Sequence, residues 1–296
     1  HLWNVNKTTV KDKNKFVTVM LKDILNDSVG LKSKSDNAYR YSIPEYQPAY
    51  MDEKEHIIRP YLLGVLLGDG YLCGQTLSIS SIETDVIDKC KSLLDDNYTI
   101  KKSSGNNCNW NLINTKERYN KYKREIKRLD LEKKSNDKFI PDEYKYDSIS
   151  NRLELLRGLF DTDGCVNTKS NNYFICTKSD RLKDDILFIS RSLGMLVSAK
   201  WSHRNNDKNK ECWHISIRFN ENLKPFSSKK HIEKYKPNKR NKSLRRKIAS
   251  IEYIGEEQMK CIMVDNPTHL YLTDDFIVTH NTSFTLAVIV MGWLKD

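Results

Sequence analysis

Leu62-Leu63-Gly64-Val65-Leu66-Leu67-Gly68-Asp69-Gly70 and Leu156-Arg157-Gly158-Leu159-Phe160-Asp161-Thr162-Asp163-Gly164 are two copies of one pattern. Each is an apolar, helix-like run with glycine at its third place and Asp-Gly at its end. Small residues recur four positions apart: Gly64 with Gly68, and Gly158 with Thr162. Side chains at that spacing share a helix face, so two such faces allow a close approach of backbones. Packed on those faces, the two helices would bring Asp69 and Asp163 to one end, side by side. Paired carboxylates repel unless a cation joins them, and oxygen ligands suit Mg²⁺.

The segments after the two copies also repeat. Leu77-Ser78-Ile79-Ser80 reads as a strand, and Val86, Cys90 and Leu93 then recur at helical spacing. Tyr173-Phe174-Ile175-Cys176 reads as a strand, and Leu182, Ile186 and Ile189 come after it in the same way. Lys138-Phe139-Ile140-Pro141 closes the first half, with Pro141 at the join. Alternating residues Trp213 to Phe219 close the second. The order helix, strands, helix occurs twice, which predicts a pseudo-twofold pair in one chain.

These segments resemble the LAGLIDADG (DOD-type) homing endonuclease motif, at the glycine and the Asp-Gly of both copies. The resemblance implies an α+β endonuclease domain over residues 56–225, with αββαββα-like halves 56–141 and 142–225. It implies a monomer that binds double-stranded DNA on a saddle of sheets. It further implies Mg²⁺-dependent phosphodiester hydrolysis, with Asp69 and Asp163 each serving one strand and Gly68 and Thr162 joining them at the metal. Metal ions activate water and steady the leaving oxygen in such chemistry. Asp161 has an apolar counterpart, Leu67, and takes no primary role. A basic residue near the metals is expected, with Lys102 and Lys200 as the guesses.

Charge is consistent with a polyanionic partner. The 296 residues carry a formal net charge of +11 and a pI near 9.1, which suits nucleic acid. Strand alternation offers polar side chains to a groove. The candidates are Ser78, Ser80, Lys101, Lys102, Trp110, Lys200, His203, Arg204, His214 and Arg218. Residues 226–249 read as a basic linker, with ten Lys or Arg between Lys229 and Lys247. It serves as a solvated connection, as a clamp on the DNA backbone through Lys229, Lys230, Arg245 and Arg246, or as both. A short helix over Ser243–Ile251 fits its pattern.

The flanks carry different chemistry. Residues 1–50 read as strands and turns, with alternation at His1–Val5 and Phe16–Val19. Residues 250–281 read as short strands at 250–254, 261–264, 269–272 and 276–278, ending Thr279-His280-Asn281-Thr282. This end resembles the C-terminal splicing region of an intein, with the host protein resuming at Thr282. The resemblance implies an all-β Hint splicing domain interrupted by the endonuclease. His269 falls near the family's second catalytic histidine, and Cys261 falls where many members have aspartate. His1 takes the place of the histidine of the Thr-x-x-His element.

The residue types suit the reaction. The Asn281 amide nitrogen can close a succinimide on its own carbonyl and release Thr282, with a histidine protonating the leaving amine. The Thr282 hydroxyl can take over an acyl group. The first nucleophile and most of the first splicing block are expected on a segment before His1. This chain alone is therefore expected at most to cleave after Asn281. Residues 282–296 read as host sequence: Thr282-Ser283 followed by an apolar helix suits a phosphate-binding loop interrupted after its lysine. A P-loop ATPase host is the expectation: a helicase, recombinase or terminase.

Seven cysteines, an odd number without a CxxC pair, read as reduced thiols in the cytoplasm of a bacterial or phage-infected cell. No run suggests a membrane span or signal peptide. Two alternatives remain: a free-standing endonuclease, and a degenerate relative that binds DNA without cutting it.

Overall fold

The computed structural model describes residues 2–7, 15–33, 38–104, 108–116, 119–168, 172–203, 211–237, 244–255, 262, 264–280. His1, Arg204, Cys261, Asn281, Thr282 and the host segment lie outside the described residues. The chain divides into two compact units, residues 1–47 with 243–296, and residues 48–242.

The first unit opens with β1 (Leu2–Lys7), β2 (Val17–Met20), α1 (Leu21–Leu25) and β3 (Tyr41–Ser42). These strands form one antiparallel sheet in the order β2-β1-β3. Its core gathers Trp3, Val5, Leu21, Ile24, Tyr41 and Ile43, joined by Ile248 from the far end of the sequence. Asp27 ties this unit together: it accepts from the Lys7 ammonium at 2.7 Å and Arg40 at 3.1 Å, and from the Tyr41 hydroxyl.

The second unit repeats one plan. Its first half runs α2 (Pro60–Asp69), β4 (Gly70–Tyr71), β5 (Leu77–Ser80), α3 (Thr84–Ser92), β6 (Tyr98–Lys102), β7 (Asn109–Asn114) and α4 (Lys121–Arg128). After the short α5 (Asp142–Lys145), the second half runs α6 (Ile149–Asp163), β8 (Gly164–Asn167), β9 (Asn172–Thr177), α7 (Asp180–Ser192), β10 (Leu196–His203), β11 (Glu211–Arg218) and α8 (Lys229–Lys234). The sheets are ordered β4-β5-β7-β6 and β10-β11-β9-β8, one plan in both. They match residue for residue: Gly70 pairs with Ile79 as Gly164 pairs with Ile175.

α2 starts at Pro60, whose missing N–H costs nothing at a first helical position. Every residue from Pro60 to Leu67 is buried, as expected for a helix that is apolar all round. Ser148 caps the start of α6, its hydroxyl accepting from the Asn151 backbone amide at 3.2 Å. Beneath it Arg152 is fully buried. Its guanidinium donates to the Asp147 carbonyl at 2.8 Å and to Ser192 and Ala49, which satisfies the buried charge.

Several expectations need correction. Residues 250–254 form no strand: Tyr253 and Ile254 are exposed, and no strand among the described residues takes up their backbone. The last strands are β12 (Leu270–Leu272) and β13 (Val278–His280), paired antiparallel. The expected start at Phe276 fails because Asp275 and Phe276 both have left-handed backbone, φ 59° and 55°. Ile262 and Val264 lie outside any strand. Ser243–Ile251 holds no helix among its described residues: the Ile43 amide donates to the Arg246 carbonyl at 3.1 Å, and the Ile248 amide to that of Tyr41 at 3.0 Å.

The basic stretch 226–249 is divided between the units. Phe226 and His231 are buried in the second, while Arg245 and Arg246 belong to the first. Among the described residues no helix is long and apolar enough to cross a membrane. No disulfide joins the described cysteines.

Candidate active site at the paired helix ends

α2 and α6 touch along their glycines. A Cβ on Gly64 would stand 2.2 Å from the Leu155 carbonyl oxygen and 2.9 Å from the Gly158 Cα. A Cβ on Gly158 would stand 2.2 Å from the Tyr61 carbonyl oxygen. Hydrogen side chains are therefore required here, and they let the two backbones meet. One turn further on, a Cβ on Gly68 would stand 2.0 Å from Thr162 Oγ1 and 3.4 Å from Asp163 Oδ2. The Asp163 carboxylate thus lies against the last turn of α2, the turn that ends at Asp69.

Lys138 completes this end. Its ammonium donates to the carbonyls of Leu67 at 2.6 Å and Gly68 at 2.9 Å, where a helix C-terminus leaves acceptors unmet and favours a cation. Burial lifts the Asp69 carboxyl above its ordinary pKa, while the charges of Lys138 and Lys230 pull it back. Burial lowers the Lys138 ammonium, while Asp163 and Asp69 hold it up. A poorly hydrated lysine that feels the charge of two acids is a candidate functional group. The two guesses for this basic residue, Lys102 and Lys200, lie on β6 and β10. Lys102 lies opposite Trp110 on its sheet, and Lys200 lies opposite His214. Lys138 escaped notice because only folding brings residue 138 to residues 67 and 68; its one mark is its place before Phe139-Ile140-Pro141.

The donor set is hard oxygen: two carboxylates and backbone carbonyls at one helix pair, which fits a Mg²⁺-like cation. Among the described residues no group of three or more His, Cys, Asp or Glu gathers into a metal cluster. The Gly68 carbonyl is engaged by Lys138, and the Thr162 hydroxyl is engaged by the carbonyls of Gly158 and Leu159. Asp161 faces away from this end. It is buried and accepts from the Tyr61 hydroxyl at 2.9 Å, from the Ser227 hydroxyl at 2.7 Å and from the Ser228 amide at 3.0 Å. It pins α6 to the segment leading into α8.

The basic candidates scatter. Lys101 and Lys200 are exposed on strands and Arg218 at a strand end. Trp110 is half-buried against the core, its indole donating to the Ser81 carbonyl at 2.9 Å. Lys229 and Lys230 line an open cleft of about 380 Å³ with Glu83 and Asp85, and Lys230 pairs with Glu83 at 3.3 Å. Arg245 lies 3.8 Å from Glu45 and over the Phe16 ring. In the first unit, the rings of His269 and His280 lie 6.0 Å apart, at the open end of the β12–β13 pair. His269 itself has left-handed backbone, φ 53°.

Residues 150–230 match the family model described as LAGLIDADG-like domain. These residues take in nearly all of α6 and the whole second sheet, so the second half is similar to a LAGLIDADG-like domain. Among curated proteins, a replicative DNA helicase DnaB from Mycobacterium intracellulare is 24% identical over 255 residues, 85% of this chain and 40% of that protein. The chain thus spans about two-fifths of the length of this relative. Among solved structures, one from work on mesophilic variants of the homing endonuclease I-DmoI is similar over 54% of this chain and 84% of that chain, with TM-score 0.36 and 14% identity.

Proposed function

We propose that the chain is an intein-encoded, site-specific DNA endonuclease with C-terminal splicing chemistry. The observation that carries the nuclease reading is the meeting of Asp163 with the last turn of α2, beside Lys138. Asp69 and Asp163 would hold Mg²⁺ with nearby backbone oxygen. The bound cation would activate water and stabilise the departing oxygen of a phosphodiester. Lys138 would place a positive charge beside the phosphate, where negative charge grows. Double-stranded DNA is the partner to which the basic excess and the exposed strand lysines point.

The test is a cleavage assay in Mg²⁺ on a plasmid carrying the uninterrupted host gene. Wild type linearises it; Asp69→Asn and Asp163→Asn each restrict it to nicking. Unchanged linearisation by both variants would end the site assignment.

The splicing reading draws support from the His269–His280 pair at the last strand, directly before Asn281. Attack of the Asn281 side-chain nitrogen on its own carbonyl carbon breaks the bond to Thr282; the departing amine takes a proton from His280, and the proton lost by the attacking nitrogen restores the histidine. The DnaB relative supports a helicase host. Most of its 255 aligned residues must precede Thr282, because only 15 residues follow Asn281. Intact mass after expression tests this. A product ending at Asn281, absent in Asn281→Ala, is expected, and an uncut wild-type chain under all conditions would refute it.

A further inference from the structure

Residues 48–59 lead into α2 without forming a helix or strand, yet the segment around the start of α6 holds them firmly. Asp147, fully buried, lies just before that helix. Its carboxylate accepts from the Lys54 amide at 3.0 Å and from His56 Nε2 at 2.5 Å. Asn151, in the first turn of α6, donates to the same carboxylate at 3.1 Å and to the Lys54 carbonyl at 3.2 Å. The His56 ring stacks on Tyr144 with centroids 3.8 Å apart. The Tyr144 hydroxyl donates to the Ile58 carbonyl at 2.8 Å, and α2 opens at Pro60. The start of one helix is thus clasped to the start of the other.

We propose that this clasp sets how far α2 slides along α6, and with it the spacing of Asp69 and Asp163, so that His56 and Asp147 are positioning residues for DNA cleavage. This rests on the proposed nuclease function. Gly64 and Gly158 bring the two backbones together. Glycine offers no ridge to catch in a neighbouring groove, so at that point the seam resists separation better than sliding. Packed helices slip past one another by about 1–2 Å in shear motions. A helix moves as a stiff rod, and Asp69 lies about 13 Å along α2 from Pro60. A slide at the clasp therefore reaches Asp69 nearly undiminished.

The chemistry is sensitive to such a slide. Mg²⁺ holds its oxygen ligands at about 2.0–2.1 Å with little tolerance, and a misplacement of about 1 Å costs on the order of 100-fold in rate. The clasp is built for fixing position. Hydrogen bonds are directional where apolar contacts are not, and a buried carboxylate that loses a donor is costly. A phenylalanine at residue 56 would keep an aromatic ring over Tyr144, so packing alone does not call for histidine; the bond to Asp147 does.

The test is single-turnover cleavage by the full chain in saturating Mg²⁺, on the plasmid carrying the uninterrupted host gene, beside duplex affinity measured without metal. His56→Phe is expected to slow cleavage roughly 100-fold and to leave affinity unchanged. His56→Gln, whose amide donates from the place of Nε2, recovers most of the rate. Asn151→Ala trims the clasp at a half-buried position and slows cleavage by a smaller factor, so the outcome does not hang on His56→Phe folding. Asp161→Asn is the control for lost stability alone. Amide hydrogen exchange supplies a readout without DNA: residues 66–69 exchange faster in His56→Phe than in wild type. A folded His56→Phe that cleaves at the wild-type rate, a loss that His56→Gln does not relieve, affinity that falls in step with rate, or unchanged exchange at residues 66–69 overturns the inference. If wild type cuts no DNA, the nuclease reading falls instead, and exchange alone decides whether the clasp controls the end of α2.

Discussion

Gly64 and Gly158 face each other across the α2–α6 contact so closely that either one, given a methyl group, would drive it into the other helix's backbone. Gly64→Ala and Gly158→Ala are therefore expected to destabilise the second unit by about 3 kcal/mol or more, above the range in which side chains alone can yield. Gly30→Ala, where a Cβ meets nothing within 4 Å, costs only the strain of its left-handed backbone, φ 78°. Urea unfolding midpoints of the three variants check the order.

Lys138→Met is expected to leave a folded protein that cleaves DNA about 100-fold more slowly, the usual scale for removing one charge-stabilising group. Lys138→Arg restores part of the rate, because a guanidinium can still meet the Leu67 and Gly68 carbonyls. Single-turnover rates alongside thermal melts separate chemistry from folding.

Asp161→Asn is expected to destabilise the second unit by about 3 kcal/mol, since an amide nitrogen would face the donors of Ser227 and Ser228. DNA cleavage by the molecules that remain folded is expected to continue. The pH dependence has a definite sign. Burial favours the neutral acid, but bonds from His231, Ser228 and Ser227 outweigh it and hold the Asp161 carboxyl below its ordinary pKa. The stability it contributes is complete above the unfolded carboxyl range, about pH 4, and is lost as pH falls through the folded value. Urea midpoints between pH 7 and pH 3 should fall more steeply for wild type than for Asp161→Asn.

Acid acts on the first unit through Asp27. Hydrogen bonds from Lys7, then Tyr41 and Arg40, hold its carboxyl far below the ordinary range. The sign is the same: full stabilisation at neutral pH, lost on acidification. Asp27→Asn should speed amide hydrogen exchange in β1 and β3 at pH 7, and Tyr41→Phe should do so by less.

Much of the second unit could be read from residue spacing. Gly64, Gly68, Gly158 and Thr162 marked the helix contact because small residues on one face have few other uses. The strands at Leu77–Ser80 and around Phe174 followed from alternation. What stayed hidden was non-local. The Lys138 bonds to Leu67 and Gly68, and the Asp161 bonds to Ser227 and Ser228, join residues far apart in the chain, and no local pattern encodes them. The errors near the C-terminus have another cause. Tyr253 and Ile254 are strand-forming residues left exposed, and Asp275 and Phe276 adopt a backbone that side-chain type alone would not suggest. Charge is harder to read from sequence: Lys230 lies 3.3 Å from Glu83 and Arg245 3.8 Å from Glu45, so a basic run says nothing of the acids that folding brings to it.

Both sheets of the second unit are encoded in one continuous chain, and that changes how such a protein can drift. In an assembly of two identical copies, every replacement strikes both sides at once, and the best ligand must mirror itself. Here a change at Ile79 leaves its counterpart Ile175 untouched. Each half is free to vary alone, while the glycines at the seam hold the frame on which both depend.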